Sequence, residues 1–298
     1  MISGYRYIFH YAGFLISFLL INLSAASASN DSLWVAGMEH IADSLYKDQK
    51  YNDASLAYEK AIYFNSNAIS KAKLSLKRAE ALKQAGSFGV AEQTLNRVDL
   101  SVLSDSLFCK VKYNAALCAY LGADFTVAES HIIQLMYYAK DSSRIFDSYP
   151  LFTLVLNELG KYDSARIFIN KYSQRVNGLS PSAEINEINT LYNKQPKLKR
   201  IKKARIMSAI VPGLGQMYAG YWGEGLTAMA CNAIFIGLTG VGVYYKYYVT
   251  SAVYSFSIFM KFYGGNASRT EFLVNKRNYQ LKKDYNLNLK KKILTYWK

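Results

Sequence analysis

Two patterns of apolar and polar positions divide the chain. Between Ser32 and Tyr192 apolar residues recur at a fixed interval among charged ones, whereas from Ala204 to Tyr263 charge almost vanishes. In the first stretch four small residues, Ala54, Ala91, Ala128 and Ala165, stand 37 residues apart. An aromatic precedes each by three positions (Tyr51, Phe88, Phe125, Tyr162), and a large apolar residue follows by four (Tyr58, Leu95, Ile132, Ile169). Twelve positions before each comes a small residue (Ala42, Ala79, Ala116, Thr153), and nine before come Leu45, Leu82, Ala119 and Leu156. A fixed period of this length marks stacked units of two helices, none of which buries its apolar face without a neighbour. Gly86 and Gly160 fall five positions before their anchors, where a helix would end in a left-handed residue. Ala183 to Asn193, with Ile185, Ile188 and Tyr192 at helical spacing, predicts a closing helix.

The second pattern is a different kind of object. Between Arg205 and Lys261 the ionisable side chains, tyrosines and Cys231 aside, are Glu224 and Lys246. Gly225 to Tyr245 is 21 residues without Asp, Glu, Lys or Arg, about the length that crosses a bilayer core as a helix. Pro212 and Gly213 break the helix that precedes it, and Gln216 and Tyr218 are the expected partners for the backbone groups so freed. Tyr221 and Trp222 suit a water–lipid boundary, and Glu224 suits the N-terminus of the next helix. Ala233 and Gly237 form a small-xxx-small step for close approach by a neighbour. A third apolar run, Tyr247 to Tyr263, carries Ser251 and Ser255 at the same spacing.

The repeats resemble the tetratricopeptide repeat, most clearly in Ala42 to Ala61, Ala-Asp-Ser-Leu-Tyr-Lys-Asp-Gln-Lys-Tyr-Asn-Asp-Ala-Ser-Leu-Ala-Tyr-Glu-Lys-Ala. The family's repeat is about three residues shorter, so linkers such as Leu100 to Asp105 are extended, and its closing Pro is missing. The resemblance implies a concave groove, lined by the first helix of each pair, that takes peptides or extended protein segments. The matching positions are Glu39, Asp43, Tyr46, Lys73, Leu76, Glu80, Lys83, Lys110, Tyr113, Leu117, Tyr120, Leu154 and Asn157, with Tyr113 and Tyr120 the expected anchors. The alternative for both tyrosines is packing against an adjacent repeat. Pro212-Gly213-Leu214-Gly215-Gln216-Met217-Tyr218-Ala219-Gly220, followed by Gly225, resembles small two-span membrane modules. It is also similar to a segment at the end of exported repeat proteins of the Bacteroidota, which implies a membrane location. Together these give an all-α expectation: an antiparallel helix-pair (TPR-like) solenoid followed by a two- to three-helix transmembrane module. The expected segments are a signal peptide at 1–28, the array at 32–195, a basic linker at 196–205, the membrane module at 206–263 and a basic tail at 264–298.

Charge sharpens the division. The formal net charge is +15, yet residues 1–193 hold 18 basic and 18 acidic side chains, and residues 194–298 hold 18 and 3. A surplus packed around apolar spans points to anionic lipid headgroups rather than nucleic acid. Met1 to Ala28 has the parts of a secretory signal: Arg6, the apolar run Tyr11 to Leu23, and Ala26-Ser27-Ala28 for cleavage. An uncleaved anchor is the alternative. Either exports the array, because no Lys or Arg follows the run until Lys47. Topology then divides. Three spans, the favoured expectation, would return the Lys-rich end to the cytoplasm. Two spans, with Arg205 to Tyr221 in the interface, would leave both basic clusters outside.

No catalytic, cofactor or metal site is legible. His10, His40 and His131 lack metal-ligand spacing to Cys or carboxylate partners. Cys109 and Cys118 fall nine residues apart on one predicted helix, about 13 Å and beyond disulfide reach. Gly213 to Gly220 fails as a phosphate loop, since no Lys-Ser/Thr follows it and no strand precedes it. The expectation is a non-catalytic, membrane-anchored periplasmic adaptor whose partners are another protein and membrane lipid. The alternative is a transport or channel element regulated by its repeats.

Overall fold

In the computed structural model the described residues are 33–177 and 182–297, and among them all regular structure is helical. The expected signal at 1–28 lies outside them. Contacts divide the chain into two units, Met1–Pro181 and Ser182–Lys298.

The first unit is a series of antiparallel helix pairs. Helix α1 (33–47) pairs with α2 (Tyr51–Phe64), α3 (Ala68–Gln84) with α4 (Phe88–Asn96), and α5 (Asp105–Leu121) with α6 (Phe125–Tyr138). The short α7 (Ser142–Asp147) leads into α8 (Tyr149–Glu158), which pairs with α9 (Tyr162–Asn177). The 37-residue register holds throughout. Ala54, Ala91, Ala128 and Ala165 have no exposed surface, and Tyr58, Leu95, Ile132 and Ile169 are buried one turn on. A methyl at the anchor is what allows the paired helix to approach this closely.

Each pair is joined by the same turn. Its left-handed residue sits five positions before the anchor: Gln49, Gly86, Ala123 and Gly160. The amide after it closes onto a carbonyl five residues back, as in Lys50 to Leu45 at 2.9 Å and Asp124 to Ala119 at 2.9 Å. That is a Schellman cap, so all four turns share the geometry that glycine signals in two of them. Asn67, Ser104 and Asp124 cap the helices that follow them by accepting from Ser70, Leu107 and Val127 amides.

The second unit is built along α15 (Ser257–Trp297), a 41-residue helix about 60 Å long. Helix α10 (Ala183–Asn193) packs on its C-terminal part through Ile185, Ile188 and Tyr192. Tyr285 donates to the Leu191 carbonyl at 3.0 Å. A helix thus forms over the residues expected to close the array, but its contacts are with α15 and it belongs to this unit. Likewise the expected basic tail is no tail. Leu273, Val274, Leu289 and Ile293 of α15 are fully buried. Helix α11 (Ile201–Ile210) takes in half of the expected linker, and α12 (Leu214–Tyr218) follows it; both pack on the middle of α15. Then α13 (Trp222–Tyr244) runs out and the chain returns through the short α14 (Tyr248–Thr250) and a π-helical stretch, Ser251–Phe256, into α15. Among the described residues one helix, α13, is long and apolar enough to cross a membrane, where the sequence led us to expect two or three.

Candidate functional site

The groove positions meet unequal fates. On α1, Glu39 and Asp43 both hold Lys77 of α3, at 2.8 Å each, and Tyr58 donates to Asp43. Burial pushes the Asp43 carboxyl up, but hydrogen bonds from Lys77 and Tyr58 and the Lys77 charge outweigh it and hold it below the ordinary value. Tyr46 is half-buried with its ring edge-on to Tyr51 at 5.4 Å. Glu80 pairs with Lys83 on α3, while Lys73 and Lys110 stand exposed. Leu76 packs against the core beneath α3 and α5, and Leu117 is half-buried.

The two expected aromatic anchors differ in how far they are covered. Tyr120 is 8% exposed with its ring 5.7 Å from Phe125, so it packs inside its own repeat. Tyr113 is half-buried, and its hydroxyl is pushed up to about 12 by burial, with Asp147 and Tyr172 of the fourth repeat adding to the rise. In that repeat every residue from Tyr149 to Asn157 is buried, Leu154 and Asn157 included. What stays accessible is a charged face across α1, α3 and α5.

Two features escaped the sequence reading. Tyr63-Phe64 and Tyr137-Tyr138 occupy the same register, nine and ten positions after their anchors, and all four rings are exposed. Their signal was there, a 74-residue repeat of an aromatic dipeptide at a helix end. The other is a buried polar cluster between repeats: Lys112 is 5% exposed, and His131 Nε2 lies 2.8 Å from Glu92 Oε1. Burial draws the Lys112 amine below its ordinary value, and the Glu92 charge opposes that fall.

The glycine-rich segment is a packing device. Gly213 is left-handed, and a Cβ on it would overlap the Gly225 carbonyl oxygen; one on Gly225 would stand 2.7 Å from the Gly213 carbonyl oxygen. The turn after Pro212 thus presses backbone to backbone on the start of α13. A Cβ on Gly215 would lie 2.5 Å from Ser208 Oγ and 2.7 Å from Thr270 Cγ2. Ser208 in turn accepts from the Gly215 amide at 3.2 Å and bonds Thr270 at 2.8 Å, fastening α11, α12 and α15 together. Gly220, also left-handed, closes α12 with a bond from the Tyr221 amide to the Gln216 carbonyl.

Buried Gln216 donates to Asn266 of α15 at 3.3 Å rather than to the freed backbone. Those backbone groups go to Ser208 and to Tyr263, whose hydroxyl donates to the Ala209 carbonyl at 2.6 Å. Tyr218 does serve a backbone group, accepting from the Arg200 amide at 3.3 Å, and Lys199 and Lys203 cover its ring. Glu224 opens α13 as expected and is held by both arms of Arg269, at 2.8 and 3.0 Å. The expected step at Ala233 and Gly237 faces outward, with nothing near Gly237. The close approach comes instead at Gly242, where a Cβ would overlap Ser251.

Helix α13 and the returning arm run antiparallel, with Phe235 stacked on Phe262 at 5.2 Å. They turn at left-handed Lys246, between Tyr244-Tyr245 and Tyr247-Tyr248. Of the most apolar 18-residue stretch of α13 only 6% is buried. Ile234, Ile236, Val241, Val253, Phe256 and Met260 all face outward.

Comparison with models of known families and with curated proteins gives no match to this chain.

Proposed function

We propose that the protein is a membrane-anchored adaptor. A tetratricopeptide-type array binds an extended segment of another protein, and the apolar hairpin of α13 and its returning arm lies in a bilayer. The observation that carries this reading is the outward-facing apolar surface of α13. A soluble core helix of that length would be buried against protein, and water would charge roughly 25 cal/mol for each Å² left bare. Helix α13 is about 34 Å long and Tyr248 to Asn266 about 28 Å, each near the thickness of the hydrocarbon core. Exposed tyrosines flank Lys246 at the tip, and Trp222 stands exposed at the base. Both ends therefore carry the residues that prefer a headgroup region.

A hairpin returns to the side it left. The basic residues of α11 and those of α15 beyond Lys276 then share one face of the membrane, where anionic lipid attracts both. This favours two spans over three. Export through the N-terminal signal would set that face in the periplasm of a Gram-negative cell of the Bacteroidota type, at the inner membrane. The accessible charged face of α1, α3 and α5 suits a charged extended segment, as in envelope assembly or secretion. The transport alternative needs charges lining a path along the hairpin; Glu224 is paired with Arg269 at its base and Lys246 stands at the tip, which leaves Lys261 of the returning arm as the one charge between them.

Protease accessibility in spheroplasts, with tags in the array and after Lys298, tests this reading. Both tags should be cleaved. A protected C-terminal tag beside a cleaved array would overturn the two-span hairpin, and protection of both would overturn export.

A further inference from the structure

A cavity of about 350 Å³ opens in the array where the end of α2, the start of α3 and the end of α4 meet. It is not part of the groove. Lys71, Ser75 and Arg78 line it, and at 100° per residue they lie about 160° around α3 from Lys73, Leu76 and Glu80.

Its chemistry is cationic. Arg78 Nη1 bonds Glu59 and, at 3.0 Å, Thr94 Oγ1, while its Nε is buried without a protein partner. Lys71 and Arg97 line the walls and enter no ion pair among the described residues. Asp99, the second acid of the lining, is committed to Ser101, accepting from its amide at 3.0 Å and its hydroxyl at 2.7 Å. Burial draws the Arg78 pKa down against the pull of Glu59, and the nearby Arg97 charge adds to the fall. Three cations, Lys71, Arg78 and Arg97, thus face two carboxylates, Glu59 and Asp99, and the lining keeps a positive surplus. Helix α3 also begins here, with no acid in its first turn, so its free amides and dipole add positive potential.

We propose that this cavity binds an oxyanion, a phosphate or carboxylate group. Arg78, Arg97 and Lys71 hold the anion, and its carrier lies against Ile62, Ala68 and Val98. The site is independent of the groove and of the membrane reading. Arginine pairs with planar or tetrahedral oxyanions through two parallel hydrogen bonds, which a lysine-only surface cannot offer.

The test uses the full chain in detergent micelles. Thermal unfolding is followed against inorganic phosphate and against acetate, each compared with chloride at matched ionic strength. At least one oxyanion should raise the midpoint saturably, as a ligand of the folded state does. The apparent dissociation constant should rise at least tenfold in Lys71→Gln/Arg97→Gln, whose side chains bear no structural pair. Lys73→Gln, on the opposite face of α3, should leave it unchanged. A response to phosphate alone assigns a phosphoryl ligand, to acetate alone a carboxylate, and to both the shared chemistry. No midpoint rise over chloride with either anion, or the same rise in the double variant, overturns the proposal.

Discussion

Gly215→Ala isolates the packing role of the glycine-rich segment. The added methyl would stand 2.5 Å from Ser208 Oγ and 2.7 Å from Thr270 Cγ2, and it would overlap the Ala204 carbonyl oxygen. Ordinary contacts of such a carbon start near 3.4 Å, so α11 must move by about an ångström. Overpacking of this kind costs about 1–3 kcal/mol. The displacement also loosens the Ser208 hydroxyl, which joins the Gly215 amide to Thr270, at about 1 kcal/mol for each bond lost. With both bonds lost the sum is about 3–5 kcal/mol. Gly237→Ala is the control, because nothing lies within 4 Å of its added methyl. On a helix that change should be neutral or stabilise by up to about 1 kcal/mol. Denaturant unfolding in micelles, read by circular dichroism, and limited proteolysis between α11 and α13 both report the difference. If Gly215→Ala is as stable as Gly237→Ala, the backbone contacts among α11, α12 and α15 are not what holds this unit together.

Ala123→Gly should stabilise the array by about 0.5–1 kcal/mol, since a left-handed alanine costs about 1–2 kcal/mol and glycine returns part of that as unfolded-chain entropy. Gly86→Ala, with open space around its Cβ, should lose a similar amount, and chemical denaturation measures both. Asp43→Asn tests the Lys77 contact by pH. The folded-state carboxyl titrates below its unfolded value, so its contribution is present above the unfolded value near 3.8 and fades as pH falls through the folded one. The variant should lose less than about 1 kcal/mol at pH 7, because the pair is over a third exposed, and unfold with a flatter profile below pH 4. Leu289→Ala should cost about 3 kcal/mol and Leu287→Ala under 0.5, whereas a disordered basic tail would make the two alike in a thermal melt.

A great deal about the array is local and periodic, and it could be read from the chain. Helix pairs follow from apolar spacing, and the four buried anchors follow from a small residue recurring every 37 positions. Periodicity fixes the face of a helix on which a residue lies. It does not fix what a neighbouring helix lays over that face, which is why Tyr120, Leu154 and Asn157 matched groove positions and are buried. The left-handed turns at Gln49 and Ala123 were silent for a related reason. Neither residue favours that conformation, and the packing of the flanking helices imposes it. In the second unit, sequence alone established an apolar, glycine-rich stretch bounded by basic residues. Tertiary structure decided which glycines are contacts, that Ser208 and Tyr263 serve the broken helix, and that the basic C-terminal segment is one face of a long packed helix. Those outcomes rest on distances between segments up to 105 residues apart, as in the Lys292–Glu187 pair, and no local pattern carries that information.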